Sequence, residues 1–92
     1  MEFVWDERKN RANQRKHRIS FETARQVFDD PFQLTTQDRE VETEARWQTI
    51  GMVNGIHVIV VAHTISDDDE VVRIFSARKA TPGERNLYAQ CD

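Results

Sequence analysis

The side chains that invite a chemical reading are cations. Arg46, Arg73 and Arg78 are permanently charged forks suited to a phosphate, Lys9, Lys16 and Lys79 add point charges, and the imidazoles of His17 and His63 stand among them, His63 being expected to exchange a proton near neutral pH. Such a set can hold an anion, neutralise charge gathering on its oxygens and move protons. Other chemistries lack their parts. His57 and His63 would stand about 20 Å apart along an extended strand, too far to share a metal ion. Asp67, Asp68, Asp69 and Glu70 have neither the glycine nor the spacing of a calcium loop. Ser20 and Ser66 are explained by a helix cap and a turn, and Cys91 sits next to last, in a tail expected to fray. The 3 glycines are isolated, so there is no phosphate-cradling loop, and neither a metal nor another cofactor is expected.

The chain that must position these groups has 92 residues, 38% of them hydrophobic and 32% charged, which bounds it to one domain spanning 1–92. Its longest apolar run, 58–62, is strand-sized and far short of the ~20 residues of a membrane span. Glu2, Asp6 and Glu7 stand where a signal peptide would be basic and then apolar. A lone cysteine excludes an internal disulfide and a cysteine zinc cluster. These features predict a cytoplasmic domain that folds on packing alone and meets no membrane. The net charge of −3 conceals segregation: 5–18 are rich in Arg and Lys, 19–44 and 67–70 in Asp and Glu. Arg73, Arg78, Lys79 and Arg85 restore positive charge near the end. A basic patch suits phosphate and an acidic one a basic partner, while solvated faces explain such runs equally well.

The pattern predicts an α+β fold. Phe3-Val4-Trp5 reads as a short first strand, and Asp6 as the cap of a helix to about His17, with Ala12 its one clear inward residue. Ser20 caps a second helix whose Phe21, Ala24, Val27 and Phe28 share a face, until Asp30-Pro31 stops it. Residues 31–43 read as a connection holding at most a short strand. From Glu44 the chain alternates, and Asn54-Gly55 predicts a two-residue hairpin turn that pairs Val53 with Ile56, Trp47 with Ala62 and Arg46 with His63. That register puts Trp47, Thr49, Val53, Val58, Val60 and Ala62 under the helices. It puts Arg46, Ile50, Met52, Ile59, Val61 and His63 on the opposite, open side. A third strand follows at 71–79. Thr81, Pro82 and Glu84 then open a short last helix able to lay Leu87 and Tyr88 on the open side. The expected architecture is a three-stranded antiparallel meander plus the short N-terminal strand, with two N-terminal helices on one face and a short C-terminal helix.

Where Arg73 lands depends on the turn before it. A four-residue turn would place it under the helices, opposite Ala62, and a five-residue turn beside His63 on the open side. Burying an unpaired guanidinium costs about several kcal/mol, so the second is expected. The result is a row across three strands: Arg46, His63, Arg73. Such a row suits metal-free cleavage of RNA, in which the substrate's own 2′-hydroxyl attacks the adjacent phosphorus and the protein supplies charge and proton transfer. Arg46 and Arg73 would neutralise the phosphate, and His63 would exchange the proton unless it is an ordinary strand residue. Lys9, Lys16 and His17 flank a nucleic-acid groove on this reading, and Lys79 adds to the same positive rim. Tyr88 either stacks on a base or packs over Ile50 and Ile59.

These residues also stand in a familiar order. Val4-Trp5-Asp6-Glu7, Lys9, Asn13, Lys16-His17, Ser20-Phe21-Glu22 and Ala24, then Val27-Phe28-Asp29-Asp30, resemble the opening of the BrnT family. Glu44-Ala45-Arg46 and Ile50-Gly51 match its middle block. Arg73-Ile74-Phe75-Ser76-Ala77-Arg78-Lys79-Ala80, with Glu84-Arg85 and Tyr88, matches its most specific segment. The resemblance implies a RelE-like fold and a toxin of a type II toxin–antitoxin pair that cleaves RNA and blocks translation. It also implies a BrnA-type antitoxin that binds the toxin and in complex represses their operon, so that operator DNA is met only through the complex. Carried onto matching positions it marks Lys9, His17, Arg46, Arg73, Arg78 and Tyr88. The expected catalytic set is then Arg46, His63, Arg73 and Arg78, with Lys9, His17, Lys79 and Tyr88 contacting RNA. Arg73 and Arg78 cannot share a face of a regular strand, so a bulge, or a role for Arg78 beyond the strand end, is required. The competing expectation is a non-catalytic module that binds protein or nucleic acid. The antitoxin is expected to contact one of the acidic stretches, 38–44 or 67–70, or the rim itself.

Overall fold

Side-chain caps start the helices where the sequence places them. The Asp6 carboxylate accepts the Arg8 N–H at 2.8 Å and opens α1, Glu7–His17. Ser20 accepts the Thr23 N–H and opens α2, Phe21–Ala24, which tightens into a 3-10 segment, Arg25–Asp29, ahead of Pro31. Thr81 and Glu84 form the reciprocal capping box of α3, Pro82–Ala89, with the proline in the first turn. No helix among the described residues is long and apolar enough to cross a membrane.

The computed structural model describes residues 1–41 and 44–90, without the side chains of 38–44. Glu44, expected from its sequence position either to partner Arg46 or to be a solvated strand end, the stretch 38–44 as a contact surface and Cys91 in a frayed tail therefore lie outside the described side chains and residues. Within them, β1 (Glu2–Val4), β2 (Leu34–Val41), β3 (Glu44–Val53), β4 (His57–Ile65) and β5 (Val71–Lys79) form one sheet in the order β1-β5-β4-β3-β2. Two features correct the expected architecture. The segment read as a connection contains a full strand, β2, paired antiparallel with β3 across a bulge between Gln37 and Arg39. Its Thr35-Thr36-Gln37 carries no apolar alternation because a border strand buries little. And β1 runs parallel to β5, so the sheet is mixed.

The hairpin register also differs. Asn54 and Gly55 both take positive φ, 58° and 69°, and Val53 C=O accepts the Ile56 N–H, as the turn residues dictate. Ile56, however, stays outside the ladder and is exposed, so Val53 pairs with His57, Gln48 with Ala62 and Trp47 with His63. One extra residue exchanges the two faces of β4. Ile59, Val61 and His63 go under the helices, while Val58, Val60 and Ala62 face the open side. Because β4 is apolar at every position from Val58 to Ala62, its own pattern does not select a parity, and the turn does.

The main core joins Phe21, Ala24 and Val27 to Val53, Ile59, Val61 and the inward residues of β5. Gly51 permits that contact, since a Cβ there would lie 2.7 Å from Val27 Cγ1. A smaller cluster on the other face, Ile50, Val60 and Ala80, is covered by α3 through Tyr88. Helix α1 belongs to neither. Ala12 is exposed, contrary to expectation, and the residues α1 buries are Asn10 and Asn13. Asn13 donates to the Ala77 C=O at 2.8 Å and accepts the Ala77 N–H at 3.1 Å, pairing with β5 as a strand would. Its amide also donates to Ile19 C=O at 2.8 Å. Asn10 accepts the Phe21 N–H at 2.8 Å. Since backbone groups point along the plane of a sheet, α1 lies beside the border of β5 rather than flat on a face.

Asn13→Ala leaves the Ala77 N–H and C=O buried without partners. It is expected to cost about 2–4 kcal/mol in denaturant unfolding. Asn13→Asp, which accepts but does not donate, should fail to restore the loss, and wild-type stability in either variant would refute this account of how α1 docks.

Candidate active site: a cationic row on the open face

The open face carries the row predicted from sequence, with one member exchanged. Arg73 stands opposite Thr64, and one step beyond the Trp47–His63 pair the ladder brings Arg46 to the same level. The row is thus Arg46, Thr64, Arg73, on adjacent strands about 4.8 Å apart. Arg73 is exposed and Arg46 half-buried. Arg73 and Thr64 line a shallow cavity of about 580 Å³ together with Ser66 and Asp67 at the β4–β5 turn.

A bulge in β5 shapes the rest. Thr64 pairs with Arg73 and His63 with Ile74, but Ala62 pairs with Ser76, so Phe75 is the extra residue. This is the irregularity needed for Arg73 and Arg78 to share a face, and they do, Arg78 standing opposite Val60. The bulge also delivers the Phe75 ring, half-buried, among the cations. The Arg46 guanidinium carbon lies 4.4 Å and Lys9 Nζ 5.3 Å from its centroid. Lys9 reaches this point because α1 lies along the β5 border. Sequence reasoning missed Phe75. The available signal was an aromatic residue two positions from Arg73, inside the motif that carried the resemblance.

Other expected members lie elsewhere. His63 is the chief correction, for it is fully buried on the packed side of the sheet and does not stand between the arginines. Its Nε2 lies 2.7 Å from Thr49 Oγ1, which lies 2.8 Å from Thr35 Oγ1, and the Phe28 ring meets the imidazole edge-on at 5.0 Å. Burial pushes its pKa below the ordinary histidine value, outweighing the Thr64 carbonyl beside Nδ1. Arg78 holds both carboxylate oxygens of Glu84 at 2.7 and 2.9 Å. With burial opposing and the Thr81 N–H assisting, that fork draws the Glu84 pKa down to about 2. Tyr88 packs on the smaller apolar cluster and donates to Asp30 Oδ2 at 2.6 Å. Burial first, and then the Asp30 carboxylate, push its pKa up to about 12. His17 and Lys79 join Lys16, Arg18, Arg78 and Thr81 around a second shallow groove, of about 480 Å³, between the end of α1 and the start of α3. Among the described residues no three His, Cys, Asp or Glu side chains gather as a metal site would require.

Taken together, a mixed sheet packed by short helices on one face and bearing a cationic row on the other defines a small α+β protein with a positively charged open face. The chain belongs to the BrnT family: the family model described as the ribonuclease toxin BrnT of type II toxin–antitoxin systems matches residues 5–84. It is similar to the BrnT ribonuclease toxin of Brucella abortus, whose crystal structure aligns with a TM-score of 0.66 at 26% identity, over 88% of this chain and 97% of that one. No curated protein matches the chain significantly.

His63 titrates below its ordinary value in the fold, so the unfolded chain binds the extra proton first as pH falls. Its contribution to stability is complete above the unfolded value and declines on acidification. Between about pH 7.5 and pH 5 the unfolding free energy of the wild type should therefore fall more steeply than that of His63→Gln. Equal slopes would show that the imidazole is not held neutral.

Proposed function

We propose that this chain is a metal-independent endoribonuclease with a RelE-like fold that acts as a toxin by stopping translation in the cytoplasm. The observation that carries the proposal is the row Arg46, Thr64, Arg73 on the open face, flanked by Lys9. Cleavage by the RNA's own 2′-hydroxyl forms a bond from that oxygen to phosphorus and breaks the bond to the 5′-oxygen, the hydroxyl proton passing to solvent water and the departing 5′-oxygen taking one up from it. Negative charge rises on the phosphate oxygens as it proceeds. Arg46 and Arg73, on strands either side of Thr64, are placed to grip those oxygens from two directions, and Lys9 adds a third charge. His63 has no part in this scheme, and electrostatic stabilisation is the protein's main contribution. The groove with Lys16, His17 and Lys79 supports the flanking backbone of the RNA, whose affinity then depends on salt. Arg78 contributes by fixing Glu84 and the start of α3, and Tyr88 by fastening α3 to Asp30.

Membership of a type II toxin–antitoxin family supports an antitoxin partner, and a BrnA-type protein that covers the row would silence it and, in complex, repress the operon. The exposed carboxylates at 67–70, beside the Arg73 cavity, offer that partner a first contact. The deciding experiment is to incubate the purified chain with RNA and excess EDTA. Cleavage should survive the chelator and fall by about 10²- to 10³-fold in Arg46→Ala and in Arg73→Ala. Growth arrest retained by both variants without cleavage would replace the enzyme with a binding module.

A further inference from the structure

Arg46 is held in an unusual way. Among the described residues its side chain makes no hydrogen bond and no ion pair, and its Nε is buried without a partner. A guanidinium near an active phosphate is commonly oriented by a carboxylate, which occupies the fork and cancels its charge. Here the orienting group is a ring. The negative face of Phe75 attracts both the Arg46 guanidinium at 4.4 Å and the Lys9 ammonium at 5.3 Å, two cations that would otherwise repel each other. The ring is in place only because it is the extra residue of the β5 bulge and because α1 lies beside that border. A π face takes no hydrogen-bond donor from Arg46, so the fork keeps its full charge for an incoming oxyanion.

We infer that Phe75 is a positioning residue for the reaction, a neutral clamp that brings Arg46 and Lys9 together on one ring and presents both to a single phosphate of the RNA. The inference rests on Arg46 belonging to the cleavage site. It makes the electron density of the ring, rather than its bulk, a determinant of rate.

Fluorination drains that density while nearly preserving shape, which separates the clamp from simple packing. Phe75 is replaced, by site-specific incorporation in cell-free synthesis, with phenylalanines bearing one, two and three fluorines. RNA cleavage is then measured alongside Phe75→Tyr, Phe75→Leu and Arg46→Ala, with thermal unfolding as the control. Cleavage should fall stepwise with each fluorine, by about 3- to 30-fold across the series, with unfolding unchanged. Phe75→Tyr should keep most activity, and Phe75→Leu should lose at least as much as the trifluoro form. A flat series beside an inactive Arg46→Ala overturns the clamp and leaves the cleavage site standing. Wild-type cleavage by Arg46→Ala overturns both.

Discussion

Everything distinctive about this structure depends on how one carboxamide meets one peptide unit. The border of β5 beyond β1 exposes backbone groups that must be satisfied, and Asn13 supplies a donor and an acceptor in the spacing of a neighbouring strand. The helix carrying Asn13 is thereby fixed beside the sheet and need not lie across it. This explains why α1 is so polar: its anchors are amides, and it requires no apolar stripe. It also frees both faces of the sheet. One receives α2 and the 3-10 segment, and the other is divided between α3 and the cations. Lys9, one turn before Asn13, reaches the open face from the side as a result.

The division of the open face is as much electrostatic as steric. Helix α3 is tied down at both ends by carboxylates. Glu84 takes the Arg78 fork and the Thr81 N–H at its start, and Asp30 takes the Tyr88 hydroxyl near its end. Asp30 also accepts N–H groups from Phe32 and Met52, so a single buried acid joins the end of the 3-10 segment, β3 and α3. These acids are committed to the half of the sheet that α3 covers. In the other half Arg46 lies against the Phe75 ring and, among the described residues, meets no carboxylate.

How much of this was legible in the sequence follows from the range of each signal. Caps at Asp6, Ser20 and Thr81, the positive-φ turn at Asn54-Gly55 and the bounds of β5 are set by neighbours in the chain, and each lies where residue chemistry places it. An irregularity was legible too, from the parity of Arg73 and Arg78 once the family resemblance marked both, as either a bulge or a role for Arg78 beyond the strand end; the structure has the bulge. Three features depended on distant groups and were not. The parity of β4 turned on one residue, Ile56, because five successive apolar positions made either face acceptable. That single step moved His63 from the arginine row into the core. The strand β2 has no pattern of its own and exists through its pairing with β3. And Phe75 acquires meaning only from Lys9, which is 66 residues away in sequence and is delivered by the docking of α1.

The way the sheet ends on each side has a consequence for assembly. On the β5 side, β1 and then Asn13 consume the hydrogen-bonding groups that a second chain would seek. The opposite margin, β2, is interrupted by its bulge between Gln37 and Arg39, in a stretch whose sequence alternates charge through Asp38, Arg39 and Glu40. A regular intermolecular ladder thus finds one margin short and the other out of step. Pairing strand to strand with another chain would have only the three residues of β1 or the interrupted margin of β2 to build on.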